Sequence, residues 1–152
     1  MAKRTHYLLD SSILLHLVRG KALGEYIKRA YEFASLPARP LISIVSHGEL
    51  LAMAERRSWG AERRAALDLV LAGMVTVDLN DPAILRGYVA VDLANVKFSG
   101  GSRVLSNNDA WIAATAHASG ALLLTTDKDF LHLHPGVCSV EYIDPASRLP
   151  GS

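Results

Sequence analysis

The chain has 152 residues, half of them hydrophobic and a fifth charged, with a formal net charge of +1. That length suits a single domain, and the composition excludes a disordered chain because it supplies enough apolar surface for a real core. The near-neutral charge rules nothing in, so nucleic-acid binding would require basic residues clustered locally.

Taken in chain order, His6–Leu9 is a short apolar run that breaks at Asp-Ser-Ser, reading as a buried strand passing into a helix. Ile13, Leu14, Leu17 and Val18 recur at helical spacing, and Gly20 closes that helix. Lys21–Phe33 reads as a second helix with Leu23, Tyr26, Ile27, Ala30 and Tyr31 in an apolar stripe. Pro37 and Pro40 mark a loop before a strand at Leu41–Val45. Ser46 is expected to open a helix to about Arg57, followed by another over Gly60–Ala72. Met74–Leu79 has strand composition, and Asp81-Pro82 starts a helix with proline in its first turn. Phe98–Ser102, with its paired glycines, reads as a loop. Ser106-Asn107-Asn108-Asp109 leads into a helix over Ala110–Ser119, stopped by Gly120. Ala121–Thr125 is the clearest strand, and Val140–Ile143 is expected to be the last. Residues 1–144 form one domain in this reading, and 145–152 a loose tail. Strands alternating with helices call for an α/β sandwich around a mostly parallel sheet.

Four acids stand out: Asp10, Glu49, Asp109 and Asp127. Each lies at or near the end of an expected strand or the opening of a helix. Each also has an ordinary explanation. Asp10 fits a helix N-cap, Ser46–Glu49 fits a capping box, Ser106–Asp109 fits the same device with aspartate, and Asp127 fits an Asx-turn. A parallel sheet, however, would bring such positions to one edge. Carboxylates crowded there repel, so some must protonate unless a cation neutralises them. A hard divalent ion such as Mg²⁺ or Mn²⁺ suits oxygen donors and leaves room for water.

The succession LLDSSILLHLVRG, ISIVSHGELLA, SNNDAWIAATA and LLLTTDKDF resembles the PIN-domain nucleases, most closely the VapC-type ribonuclease toxins of toxin–antitoxin systems. The resemblance runs from about Tyr7 to Tyr142. It implies a Rossmann-like three-layer α/β/α sandwich and hydrolysis of RNA phosphodiesters with Mg²⁺ or Mn²⁺. It implies catalytic and metal-binding roles for Asp10, Glu49, Asp109 and Asp127, with 5′-phosphate and 3′-hydroxyl products. A tRNA or ribosomal RNA substrate, a small antitoxin partner and a homodimer are implied as well. The family usually carries Asp-Thr-Asn where this chain has Asp10-Ser11-Ser12. Ser11 keeps the hydroxyl, but Ser12 replaces a supporting amide, which is expected to loosen the hold on Asp10. Of the two acids in the fourth motif, Asp127 is favoured over Asp129, which reads as a helix-start or surface acid.

Ser11 and Thr125 are candidate supporting hydroxyls, or else simple turn formers. For RNA binding the best basic group is Arg56, Arg57, Arg63 and Arg64, with Arg19 beside it; a solvated charged face explains them equally well. Arg103 belongs to the wider basic set. His132 and His134 would share one face of a strand but lack a third ligand. Trp59 and Trp111 could stack on bases, although Trp111 sits in an alanine-rich helix that favours packing. The apolar stripe with Tyr26, Tyr31 and Phe33 serves either as core or as the wall of a groove for the antitoxin's helix.

Cys138 alone excludes an internal disulfide and fits a reducing cytoplasm. No apolar run approaches the ~18 residues of a membrane span, and the N-terminus lacks a signal peptide's features. Two rival readings remain: a phosphatase or phosphoacceptor domain using Asp10, weakened by the lack of an acid at Ser12, and a non-catalytic RNA- or protein-binding module.

Overall fold

The computed structural model describes residues 6–98 and 105–146. β1 (Tyr7–Leu9) is the central strand, flanked by β2 (Leu41–Ser43) and β4 (Leu122–Thr125). β3 (Val75–Val77) and β5 (Val140–Tyr142) close the two edges, giving the order β3-β2-β1-β4-β5. Every one of these pairings is parallel, so the expectation of a mostly parallel sheet becomes an entirely parallel one among the described residues.

Alternate residues of the inner strands feed two separate cores, as the pleat requires. Leu8, Leu41 and Leu123 face α5 (Pro82–Phe98) and α6 (Asn107–Ser119), meeting Val91, Ile112 and Ala113. Leu9, Ile42 and Leu124 face the other way. They meet α1 (Ser11–Arg19), α2 (Ala22–Tyr31), α3 (Ile44–Arg56) and α4 (Ala61–Ala72) through Leu14, Ile27, Leu50 and Leu67. The result is the three-layer α/β/α sandwich expected from the motifs. Each fully buried leucine or isoleucine contributes about 1.5–3 kcal/mol relative to exposure.

Several boundaries differ from the sequence expectation. α3 begins at Ile44, because Ser43 is the N-cap and its Oγ accepts the Val45 amide at 3.1 Å. The capping box expected at Ser46–Glu49 therefore does not form. Ile44 and Val45, apolar and β-branched, read as strand but belong to the helix. α2 ends at Tyr31, since Glu32 takes a left-handed conformation (φ 46°), and Phe33–Ser35 forms a separate 3-10 turn. α6 starts at Asn107, with Ser106 Oγ accepting the Asp109 amide at 3.2 Å. His132 lies in a 3-10 segment, Lys128–Leu133, and bonds Asn95, whereas His134 accepts the Val140 amide, so the two imidazoles are not a pair. Most of the Phe98–Ser102 loop, Arg103 and the tail beyond residue 146 lie outside the described residues. No helix among the described residues is long and apolar enough to cross a membrane.

Close helix approach depends on two glycines. A Cβ on Gly24 of α2 would collide with the His16 carbonyl oxygen of α1. A Cβ on Gly87 of α5 would lie 2.6 Å from the Ala114 carbonyl oxygen of α6. Backbone cannot yield as a flexible side chain can, so Gly87→Ala should lower stability by about 1–3 kcal/mol in urea unfolding, the cost typical of overpacking. An unchanged midpoint would mean that α5 and α6 can separate without loss.

Candidate active site

β1 is the strand from which the chain leaves first to one side, to β2, and later returns on the other, as β4. In an open parallel sheet, ligands bind at such a reversal, beyond the carboxyl ends of the strands. Asp10 follows β1 at that point and is only 4% exposed. As N-cap of α1 it accepts the Ser11 amide on Oδ1 at 2.8 Å. Its Oδ2 accepts two hydroxyls, from Ser12 and from Thr125, each at 2.8 Å. Burial raises the Asp10 pKa above the usual carboxylate value; the three hydrogen bonds work against that rise, and the charge of Asp127 adds to it.

Thr125, at the end of β4, links two acids. Its hydroxyl donates to Asp10 and accepts the Asp127 amide at 2.9 Å. Asp127 then forms the expected Asx-turn, Oδ1 accepting the Asp129 amide at 2.9 Å. On the opposite side, Ser11 Oγ lies 2.9 Å from both Glu49 Oε1 and Ser46 Oγ. One hydroxyl carries one proton, so Ser11 donates to the carboxylate, the stronger acceptor, and receives from Ser46.

Asp109, half-buried in the first turn of α6, registers the whole group. Burial is the largest cause that lifts its pKa to about 7, followed by the charge of Asp10; Asp127 and Glu49 push the same way, and the Ser106 hydroxyl opposes them. The fold thus brings Asp10, Glu49 and Asp127, each from its own segment, into electrostatic range of Asp109. Among the described residues, no three His, Cys, Asp or Glu side chains are drawn tightly enough to grip a metal ion as they stand. The hydrogen bonds orient the individual carboxylates without closing them into one ligand set.

Sequence reasoning undervalued two residues. Ser12 was expected to weaken the hold on Asp10; instead its hydroxyl donates to Asp10 and accepts the Thr126 amide at 3.2 Å. Its place two residues after Asp10, in the first turn of α1, was the available signal. Ser46 was read as a helix cap, whereas it is buried inside α3 and supports Ser11.

The five arginines part company. Arg64 is occupied at the end of α3: Nε donates to the Trp59 carbonyl at 2.9 Å, Nη2 to the Ala54 carbonyl at 3.2 Å, and Nη1 pairs with Glu55 at 3.1 Å. Arg56 lines a groove of about 630 Å³ that also contains Glu49, Met53 and Asn108. Arg19, Arg57 and Arg63 line a different cleft, of about 550 Å³, beside Trp59. Trp59 is buried, and Trp111 packs its ring 4.2 Å from that of Tyr88, the packing role its helix suggested.

The PIN domain family model matches residues 7–134. The chain belongs to the PIN domain family. No curated protein matches the sequence. Among solved structures, it resembles VapBC2 of Rickettsia felis bound to a promoter DNA fragment, at 18% identity and TM-score 0.74, covering 91% of this chain and 98% of that one. It also resembles VapBC-5 of Mycobacterium tuberculosis, a toxin–antitoxin system, at 27% identity and TM-score 0.61, covering 93% and 98%. VapC20 of Mycobacterium tuberculosis, a toxin that cleaves the sarcin-ricin loop, aligns at 21% identity and TM-score 0.60, covering 84% and 95%. The VapC resemblance of the four motifs is therefore matched by the PIN fold itself.

The Asp109 shift predicts a pH dependence. An acid with a higher pKa folded than unfolded binds more protons when folded, so it favours folding at low pH and loses that contribution as pH rises through its folded value. Between the unfolded value of 3.8 and the folded value of about 7, rising pH should therefore weaken the metal-free PIN domain. In EDTA, the thermal midpoint should climb by several degrees from pH 8 to pH 5, and Asp109→Asn should flatten that climb. Equal slopes in the two proteins would remove Asp109 as the cause.

Proposed function

We propose that this PIN domain is a metal-dependent endoribonuclease of the VapC type, acting in the cytoplasm on a structured RNA such as a tRNA or ribosomal RNA and restrained by a small antitoxin. The observation that carries the proposal is the hydrogen-bonded chain that ties Glu49 through Ser11 and Asp127 through Thr125 to Asp10 at the end of the central strand. Asp109 stands beside them, its pKa raised by burial first and then by the charges of Asp10, Asp127 and Glu49. Carboxylates arranged that way form an anionic crevice suited to a divalent cation. Their donors are hard oxygens, the type Mg²⁺ and Mn²⁺ take. Asp10, Glu49, Asp109 and Asp127 are the residues that would hold it. Once bound, such an ion supplies charge neutralisation and an activated water for attack on phosphorus.

The protein's own groups do the positioning. Ser12, Thr125 and the Ser11 amide hold Asp10 in one orientation, and Ser11 with Ser46 holds Glu49. In the proposed reaction, water adds to phosphorus in line as the P–O3′ bond breaks. The 3′ oxygen takes a proton, leaving a 3′-hydroxyl and a 5′-phosphate. The phosphoacceptor reading fits less well, because Ser12 stands two residues after Asp10, where a second acid would be needed.

The partners follow from two surfaces. A groove of about 500 Å³ between α1, α2 and α4, lined by Leu17, Phe33, Leu36, Leu69 and Met74, has the apolar character an antitoxin helix needs. On α5, Leu85, Val89 and Leu93 recur every fourth residue and are each more than half exposed. That stripe supports a homodimer. Leu85→Glu with Val89→Glu should convert dimer to monomer in light scattering without unfolding the chain; a wild-type monomer would dismiss it.

The deciding test of activity is incubation of purified protein, free of antitoxin, with total RNA in Mn²⁺, Mg²⁺ or EDTA. Discrete cuts are expected with either metal and none in EDTA. Asp10→Asn should abolish them, and Thr125→Val or Ser12→Ala should slow them by roughly 10–100-fold, as losses of supporting bonds around a metal site do. RNA left intact by folded, metal-loaded protein would favour a binding module instead.

A further inference from the structure

The groove beside Glu49 runs out of the acidic crevice along one face of α3. Val45, Gly48, Glu49, Met53 and Arg56 line it, with Asn108 from the first turn of α6. Val45, Glu49, Met53 and Arg56 follow one another at helical intervals of three or four, which puts them on one face. At the inner end Ser11 holds Glu49, and Asn108 precedes Asp109, so groove and crevice share one carboxylate and adjoin a second. Arg56 lies two turns further along α3, roughly 10 Å at 1.5 Å per residue, and supplies the groove's positive charge. Among the described residues its guanidinium forms no ion pair and no side-chain hydrogen bond.

Gly48 has no packing explanation. It lies inside α3, where glycine is less stable than alanine because its backbone loses more freedom on folding. Gly24 and Gly87 are needed because a Cβ would strike a neighbouring helix, but a Cβ on Gly48 would have no heavy atom within 4 Å. Left-handed backbone does not require it either, since among the described glycines only Gly20 and Gly120 adopt positive φ. The fold itself thus has no use for a glycine at this point. Its place is informative: it adjoins Glu49 on the wall of the groove, where a missing side chain lets a ligand approach the helix backbone closely.

We propose that this groove receives the RNA strand beside the bond that is cut, with the sugar–phosphate backbone passing over Gly48 and a neighbouring phosphate meeting Arg56. The inference rests on the nuclease reading, which places the cut phosphate among the carboxylates. A strand held there must leave the crevice, and this groove opens from it through Glu49. The order of charge also fits. The carboxylate end suits the phosphate that shares a divalent ion, and the guanidinium end suits one that has none. Between them Met53 offers a polarisable apolar surface to a base, and Asn108 a side-chain amide that can both donate to and accept from a base edge. Arg56 would fix the register of the strand, and Asn108 would sense the base beside the cut.

Gly48→Ala is the decisive variant, because it should move stability and binding in opposite directions. Its thermal midpoint should rise, as a helix-interior alanine in open space predicts, while its affinity for RNA falls. Affinity would be read from the anisotropy of a short fluorescein-labelled single-stranded RNA in Mg²⁺. An Asp109→Asn background, lacking one of the four carboxylates, should keep that RNA uncut. There Gly48→Ala should weaken binding severalfold, and Gly48→Leu further. Arg56→Ala should weaken it severalfold and lower the slope of log affinity against log salt by about one, and Arg56→Lys should restore the slope. With all four acids in place, Gly48→Ala and Arg56→Ala should need severalfold more protein to give the same cuts in total RNA with Mn²⁺. A lowered midpoint for Gly48→Ala would show that the fold does need the glycine and would overturn the proposal. Unchanged RNA affinity in Gly48→Leu and Arg56→Ala, in a protein that still cuts RNA, would overturn the groove and leave the nuclease intact. If Gly48→Leu instead altered the oligomeric state in light scattering with RNA affinity intact, the groove would belong to a second copy of the chain. The expected losses of RNA affinity in a protein that never cuts with all four acids present would uphold the groove and remove the nuclease.

Discussion

A carboxylate almost wholly withdrawn from water at the end of the central strand is the constraint around which this PIN domain is organised. Asp10 is affordable there only because donors from three directions meet it: the Ser11 amide, the Ser12 hydroxyl and the Thr125 hydroxyl. The last of these exists because β1 and β4 pair in parallel and in register, Leu9 opposite Leu124, which sets Thr125 beside Asp10. The Asp10 amide completes the link by donating to the Leu124 carbonyl at 3.0 Å. Sheet pairing and carboxylate support are therefore the same piece of structure.

From that anchor, short chains of hydrogen bonds carry position outward. Through Thr125 the Asp127 amide is tied to Asp10, and through Ser11 the Glu49 carboxylate is tied to the start of α1. Asp109 reaches the crevice from the first turn of α6, where burial and then the charges of Asp10, Asp127 and Glu49 lift its pKa to about 7. Behind α6 packs α5, with Gly87 against the Ala114 backbone.

Most of the fold was legible in the chain. Short apolar runs ending in Asp, Ser or Thr marked the strands, and helical spacing with Gly20 and Gly120 marked the first and last long helices. The misses share a physical origin. Ile44-Val45 has strand composition but lies beyond Ser43, and which serine caps a helix depends on where the sheet releases the chain. His132 lies in a 3-10 turn and His134 caps it in extended backbone, a geometry that no alternation pattern announces. Ser12 looked like a lost amide because residue type was weighed and reach was not; at this spacing a hydroxyl spans the distance to both Asp10 and Thr126.

The chain by itself determined the alternation of strand and helix, the order of the four acidic motifs and their placement near strand ends or helix openings, since these follow from periodicity and capping chemistry over a few residues. Tertiary structure alone decided which hydroxyls serve which carboxylates, and that Asp109 bears the crowding of the other three. It also separated five arginines that look alike in sequence into one that ties off α3, one beside Glu49 and three around Trp59. The reason is range: a turn or a cap is settled by neighbours in the chain, whereas charge repulsion and hydrogen-bond partnership depend on distances that only packing sets.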